Sequence, residues 1–255
     1  LFNQGITLRK LNRLEEALTS FNQALQINPN DPEIWYQIGS IFLKLDLLKE
    51  ALNAYNNIIK LNPNDPESWY IQGNILYDLG NYQEAIAAYH QALKIKPNYY
   101  EAYHNQGNAL AKLDQLEEAI ANYNKALEIA PNLYQACYNK GINLRKLKRL
   151  EEALNSFQRV LQLKPDHDQT WNSQGNVLAN LGKIQEAIAS YDQALKINPN
   201  LHQALYNKAC CYAIQQQTKL AIANLNQAII LEPKYHQKAQ IDSDFQPIHH
   251  QIFNN

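Results

Sequence analysis

The chain has no methionine, only three cysteines among 255 residues, and few charges, 18% of the total. Three cysteines, two of them adjacent (Cys210 and Cys211), make a poor disulfide framework. Reduced thiols and a cytoplasmic setting are expected from that count. Lys and Arg (23) nearly balance Asp and Glu (24), leaving a net charge of −1. No global field therefore draws in nucleic acid or an anionic membrane surface, and neither is expected as a partner. No apolar run approaches the roughly 18 residues of a membrane span. There is no signal-peptide pattern and no Asn-x-Ser/Thr acceptor. His-Glu-x-x-His, paired Cys-x-x-Cys and G-x-x-x-x-G-K are all missing, so no metal, cofactor or catalytic site is expected and the chain reads as a non-enzyme. The lack of methionine gives the expectation that this is a segment of a longer protein.

What the sequence does have is a period. Proline recurs every 34 residues at Pro29, Pro63, Pro97, Pro131, Pro165, Pro199 and Pro233. Alanine keeps the step at Ala17, Ala51, Ala85, Ala119, Ala153, Ala187 and Ala221. Glycine keeps it from Gly5 to Gly175, with Ala209 in the seventh place. A fixed period of this length without an insertion means stacked small units, each touching its neighbours.

Residues 100–133 show what one unit is. Tyr103, Gly107 and Leu110 share one helix face by their spacing. Asp114 interrupts; Asn12, Asp46, Gly80, Lys148, Gly182 and Gln216 hold the sister positions, and a left-handed turn residue there would end a helix. A second helix opens at Leu116-Glu117-Glu118, whose acidic turn complements the helix dipole. Ala119, Tyr123, Ala126 and Leu127 form its buried stripe, and Pro131 stops it. Small Gly107, Ala119 and Ala126 let two backbones approach, while Tyr103, Leu110 and Tyr123 fill the space around them.

This succession of aromatic, Gly, large residue, Ala, aromatic and Pro resembles the tetratricopeptide repeat. The resemblance covers residues 1–235 as seven repeats: a truncated first one at 1–31, then 32–65, 66–99, 100–133, 134–167, 168–201 and 202–235. It implies an all-α, right-handed superhelical solenoid of antiparallel helix pairs, with first helices lining a concave groove. It also implies a non-catalytic scaffold that holds a peptide or partner protein. The last repeat departs from the pattern through Ala209, Leu225 and Lys219-Leu220, as a terminal repeat does. Residues 236–255 leave the period. There Ala239, Ile241, Phe245, Ile248 and Ile252 are expected to form a helical cap, with Ser243 or Asp244 capping a short final helix.

The opposite stripe of each first helix would face the groove. One row reads Tyr36, Tyr70, His104, Tyr138, Asn172, Tyr206. A second includes Asn105, Asn139, Ser173 and Asn207, and a third Ser40, Asn74, Asn108, Ile142, Asn176 and Cys210. Stacking would bring Asn74 to Asn105, Asn108 to Asn139 and Asn176 to Asn207. Each amide offers donor and acceptor together, as a peptide bond does. The pattern resembles the asparagine ladder in the repeat region of O-linked N-acetylglucosamine transferases, broken here at Ile142 and Ser173. The alternative is simply a polar exposed face. Tyr70, Tyr138 and Tyr206 either give flat contact area or bridge adjacent first helices.

Other resemblances and rivals are weighed from the same rows. The dicarboxylate clamp that some tetratricopeptide proteins use on chaperone C-termini needs basic residues where this chain has Tyr36, Tyr70, His104, Tyr138, Glu33, Glu67 and Glu101, so it is excluded. Those glutamates either favour a basic ligand or complement a helix dipole. Lys140, Arg145, Lys146, Lys148 and Arg149 surround one turn, either docking an acidic partner or simply solvated. A rival role is the regulatory or targeting arm of a larger enzyme, such as a bacterial Ser/Thr kinase or glycosyltransferase. Phe2, Ile6 and Leu14 would leave an apolar end open to end-to-end self-association.

Overall fold

The structure is a computed structural model that describes residues 1–253, with side chains through residue 251. It forms two compact units, residues 1–131 and residues 132 onward. In the first unit α1 (Phe2–Lys10) pairs with α2 (Leu14–Ile27), α3 (Pro32–Lys44) with α4 (Leu48–Leu61), α5 (Pro66–Asp78) with α6 (Tyr82–Ile95), and α7 (Tyr100–Lys112) with α8 (Leu116–Ile129). In the second unit α9 (Tyr134–Lys146) pairs with α10 (Leu150–Leu163), α11 (Asp168–Asn180) with α12 (Ile184–Ile197), and α13 (His202–Ile214) with α14 (Thr218–Leu231). A short α15 (Lys234–Ile241), a 3-10 segment (Ser243–Ile248) and α16 (His249–Phe253) follow. Among the described residues there is no strand, and no helix is long and apolar enough to cross a membrane. The fold is an all-α solenoid of helix pairs.

Each pair closes on a left-handed residue, as the sequence predicts. Asn12, Asp46, Gly80, Asp114, Lys148, Gly182 and Gln216 all have φ between 57° and 81°. The conformation lets the chain fold back onto the helix end: at Asp114, the N–H of Gln115 donates to the carbonyl of Leu110 at 3.0 Å. Between pairs, Asp31 and Asp65 accept from the backbone N–H of Glu33 and Glu67, with Pro32 and Pro66 in the first turn. Three tryptophans tie this junction from the other side. Trp35, Trp69 and Trp171 donate their indole N–H to the carbonyls of Pro29, Pro63 and Pro165 at 3.3, 2.9 and 2.9 Å.

The seam between paired helices carries the core. Ala17, Ala51, Ala85, Ala119, Ala153, Ala187 and Ala221 are fully buried. The close approach is set by small residues beneath an aromatic ring. A Cβ on Gly107 would lie 2.7 Å from Cε1 of Tyr123, and one on Gly175 would lie 2.5 Å from Cε1 of Tyr191. Tyr55, Tyr89, Tyr123 and Tyr191, with Phe21 and Phe157, are the ring residues of this seam and are at most 1% exposed. Burying a ring of this size contributes about 1.5–3 kcal/mol.

The tail caps the second unit with two differences from expectation. Ala239, Phe245 and Ile248 are buried, but Ile241 is 84% exposed, because α15 presents it away from the α13–α14 pair. The cap of the following segment is Asp242, whose carboxylate accepts from the N–H of Asp244, rather than Ser243 or Asp244 themselves. The side chain of Ile252 lies outside the described residues. Phe2, Ile6 and Leu14 are half-buried around the core of α1–α3 rather than open.

Candidate functional site

The polar rows of the first helices come together by hydrogen bonds between neighbouring pairs. In the first unit Asn105 on α7 donates through Nδ2 to Oδ1 of Asn74 on α5 at 2.9 Å, and to the hydroxyl of Tyr70 at 3.1 Å. In the second unit Asn207 on α13 donates through Nδ2 to Oδ1 of Asn176 at 2.8 Å and to Oδ1 of Asn172 at 3.1 Å, both on α11. Two of the amide pairs expected from stacking are therefore direct contacts. Asn108 and Asn139 belong to different units.

A third group enters that the sequence reading missed. The hydroxyl of Tyr89 on α6 donates to Oδ1 of Asn74 at 2.8 Å, that of Tyr123 on α8 to Asn108 at 2.9 Å, and that of Tyr191 on α12 to Asn176 at 2.8 Å. These are the seam rings, so their tips pass beneath the first helix and emerge under its polar row. Burial pushes the phenols of Tyr89 and Tyr191 well above the ordinary tyrosine value, which keeps them protonated and able to donate. The signal was present in the repeats. Where the row holds Asn74, Asn108 or Asn176, or Ser40, the ring fifteen residues on is a tyrosine; opposite Ile6, Ile142 and Cys210 stand Phe21, Phe157 and Leu225.

Each unit carries a cleft beside this network. One, of about 340 Å³, is lined by Asn74, Tyr77, Asp78, Tyr89, Asn105 and Asn108. The other, of about 280 Å³, is lined among others by Arg145, Asn176, Tyr191, Asn207, Lys238 and Asp242. Within the basic cluster, Arg149 pairs with Glu152 on the surface, while Nε of Arg145 is buried without a partner at this second cleft.

The tyrosines of the first row act as bridges. Tyr70 packs on Tyr99 with ring centroids 4.9 Å apart, and Tyr138 on His167 at 5.4 Å. Both stay half-buried. Tyr206, expected on the open wall, is 1% exposed: it stacks on Tyr235 at 4.4 Å, meets Phe245, and donates to Asp242 at 2.6 Å. The tail thus covers the C-terminal end of the row, where a further repeat would otherwise stand. Asn172 is also buried, at 7% exposure, because Asn207 crosses over it.

The same fold-back gathers Cys210, Asp242 and Asp244, whose ligand-capable atoms lie within 4.8 Å of one another. Burial raises the Cys210 thiol far above its ordinary value and holds it protonated. Asp242 is already engaged by Tyr206 and by the N–H of Asp244, and the Lys238 ammonium sits over the Tyr206 ring at 4.2 Å. The cluster is thus internally paired.

Comparison with known proteins agrees with this architecture. The tetratricopeptide repeat model matches residues 32–65, 100–133, 134–167 and 169–201, and related repeat models match 5–46, 73–114, 54–87 and 190–223. Among solved structures, the chain is similar to YrrB, described as a tetratricopeptide repeat protein with an unusual peptide-binding site, at 26% identity and a TM-score of 0.65, covering 74% of this chain and 98% of that one. It is similar in fold to the C-terminal part of a repeat protein from Cytophaga hutchinsonii, at 20% identity and a TM-score of 0.78, covering 93% and 98%. It also shares its fold with MamA from Desulfovibrio magneticus, at 23% identity and a TM-score of 0.64, covering 67% and 96%. No curated protein matches the chain. With the helix pairs, the glycine–aromatic seams and repeat models matching more than half its length, the chain belongs to the tetratricopeptide repeat family.

Proposed function

We propose that this protein is a non-catalytic interaction scaffold whose first-helix faces hold an extended peptide or the extended segment of a partner protein. Tetratricopeptide repeats support the scaffold role itself. The peptide reading is supported by one observation above all: an amide pair anchored by a buried tyrosine borders a cleft in each unit. Amides suit a ligand's main chain because they match its donors and acceptors without reading side chains. Tyr70, Asn74, Asn105 and Asn108 form the wall of the first unit in this reading. Tyr138, Asn139, Asn176 and Asn207 serve the second, while Asn172 and Tyr206 support it from beneath.

Panning a random displayed-peptide library tests the reading. The full chain should enrich binders, and Asn74→Ala with Asn105→Ala should weaken a binder of the first unit about tenfold, the loss of one or two net hydrogen bonds. Unchanged affinity in the double variant, or a library that yields no binder, would remove the reading.

A further inference from the structure

The two clefts occupy equivalent places three periods apart. Asn74, Tyr89 and Asn105 in the first unit correspond to Asn176, Tyr191 and Asn207 in the second, so the amide wall is the same in both. What changes is the charge beside it. The first cleft is lined by Asp78, whose sister residue is Asn180; the second is lined by Arg145, whose sister is Leu43. Asp78 stands at the C-terminal end of α5, where the helix dipole favours a cation, and four other first helices carry lysine at that place (Lys10, Lys44, Lys112 and Lys146). Among the described residues neither charge is met: no hydrogen bond or ion pair reaches the Asp78 carboxylate or the Arg145 guanidinium, and Nε of Arg145 is buried without a partner. The guanidinium stays charged at any physiological pH. The two carboxylates on the tail side of the second cleft are already engaged, Asp242 by Tyr206 and the N–H of Asp244, and Asp244 by the Cys210 thiol.

The charge of each unit divides the same way. Residues 1–131 hold 10 Lys and Arg against 15 Asp and Glu, a net −5; from residue 132 onward there are 13 against 9, a net +4. The chain's overall −1 is a near-cancellation of opposite halves. One first-helix row follows suit, with Glu33, Glu67 and Glu101 on α3, α5 and α7, and Gln135, Gln169 and Gln203 on α9, α11 and α13. We infer that the two clefts select oppositely charged side chains: Asp78 in the first unit takes a Lys or Arg side chain of a bound peptide, and Arg145 in the second takes an Asp or Glu carboxylate. This rests on the peptide reading above and deepens it, since like amides hold a main chain while the one differing charge reads a side chain.

Panning the full chain against a random library fused to its carrier through the peptide's C-terminus tests the inference, because such peptides offer acidic side chains without a free terminal carboxylate. The binders should fall into a basic set and an acidic set, and labelled synthetic copies of both are then titrated against variants. Arg145→Gln should weaken the acidic set about tenfold, the loss of a charge-assisted hydrogen bond, and leave the basic set unchanged. Asp78→Asn should weaken the basic set about threefold, a smaller effect because Asp78 is exposed to solvent, and leave the acidic set unchanged. Neither variant breaks a hydrogen bond or ion pair within the protein. Charge exchange guards against a folding defect: Arg145→Glu should bind a copy of an acidic binder with its Glu replaced by Lys more tightly than the original, a reversal that a misfolded chain does not give. Binders of no charge preference, acidic binders indifferent to Arg145→Gln, or equal losses in both sets overturn the charge selection and leave the peptide reading standing. A library that yields no binder overturns both.

Discussion

Adding one methyl group has different consequences at two kinds of glycine. At Gly107 it would meet the Tyr123 ring at 2.7 Å, and that ring is held on all sides. Gly107→Ala is expected to cost about 1–3 kcal/mol through overpacking, read as a lower denaturation midpoint. At Gly80 nothing stands within 4 Å of the new methyl, but φ is +81°. Gly80→Ala therefore costs about 1–2 kcal/mol through backbone strain alone. A second substitution separates the two causes. Shrinking Tyr123 to Leu should reduce the penalty of Gly107→Ala and leave that of Gly80→Ala unchanged, as measured by a double-mutant cycle. Both glycine positions were legible in the sequence, one from its place opposite an aromatic and the other from its place between two helices.

A helix end in this protein depends on the charge state of a histidine. His167 caps α11: its Nδ1 accepts from the N–H of Thr170 at 3.2 Å and lies 2.8 Å from the Thr170 hydroxyl. Burial, helped by the nearby Lys164, lowers the His167 pKa from its ordinary value. The folded state therefore favours the neutral ring. The cap is intact at neutral pH and above, and its stability is lost as pH falls through the lowered folded value, when Nδ1 takes a proton and can no longer accept. Hydrogen exchange at the Thr170 amide should accelerate across that acidic window, and His167→Asn, which retains an acceptor without a titration, should remove the pH dependence. This cap was not legible in the amino-acid order, because histidine lacks the cap preference of the Asp31 and Asp65 carboxylates that serve the earlier junctions.

At the scale of the molecule, contacts within each unit run between successive helices and from one first helix to the next, as α5 to α7 and α11 to α13. Stability in such an array is a sum of local terms, so a lesion spreads little beyond its neighbours. Phe245 is fully buried against the last helix pair and the Tyr206 ring. Phe245→Ala should cost about 3–5 kcal/mol locally. Hydrogen exchange is expected to rise over α13 and α14 and to stay unchanged over α3–α6. Uniform loss of protection along the chain would contradict a nearest-neighbour account.

The amino-acid order by itself determined the helix pairs, their left-handed turns and the alanine seam, because each follows from residues within one 34-residue period acting through local geometry. It also brought Asn74 to Asn105 and Asn176 to Asn207, since a strict period places sister residues on sister helices. Only the tertiary structure decided which side chains the amides bond, that the seam tyrosines reach through to them, and that Tyr206 lies under the tail. Those outcomes depend on side-chain tips meeting across 15 to 36 residues of chain, within the reach of one hydrogen bond. A period fixes which helix faces meet, whereas the atoms that bond depend on how closely the backbones approach and how far each side chain extends.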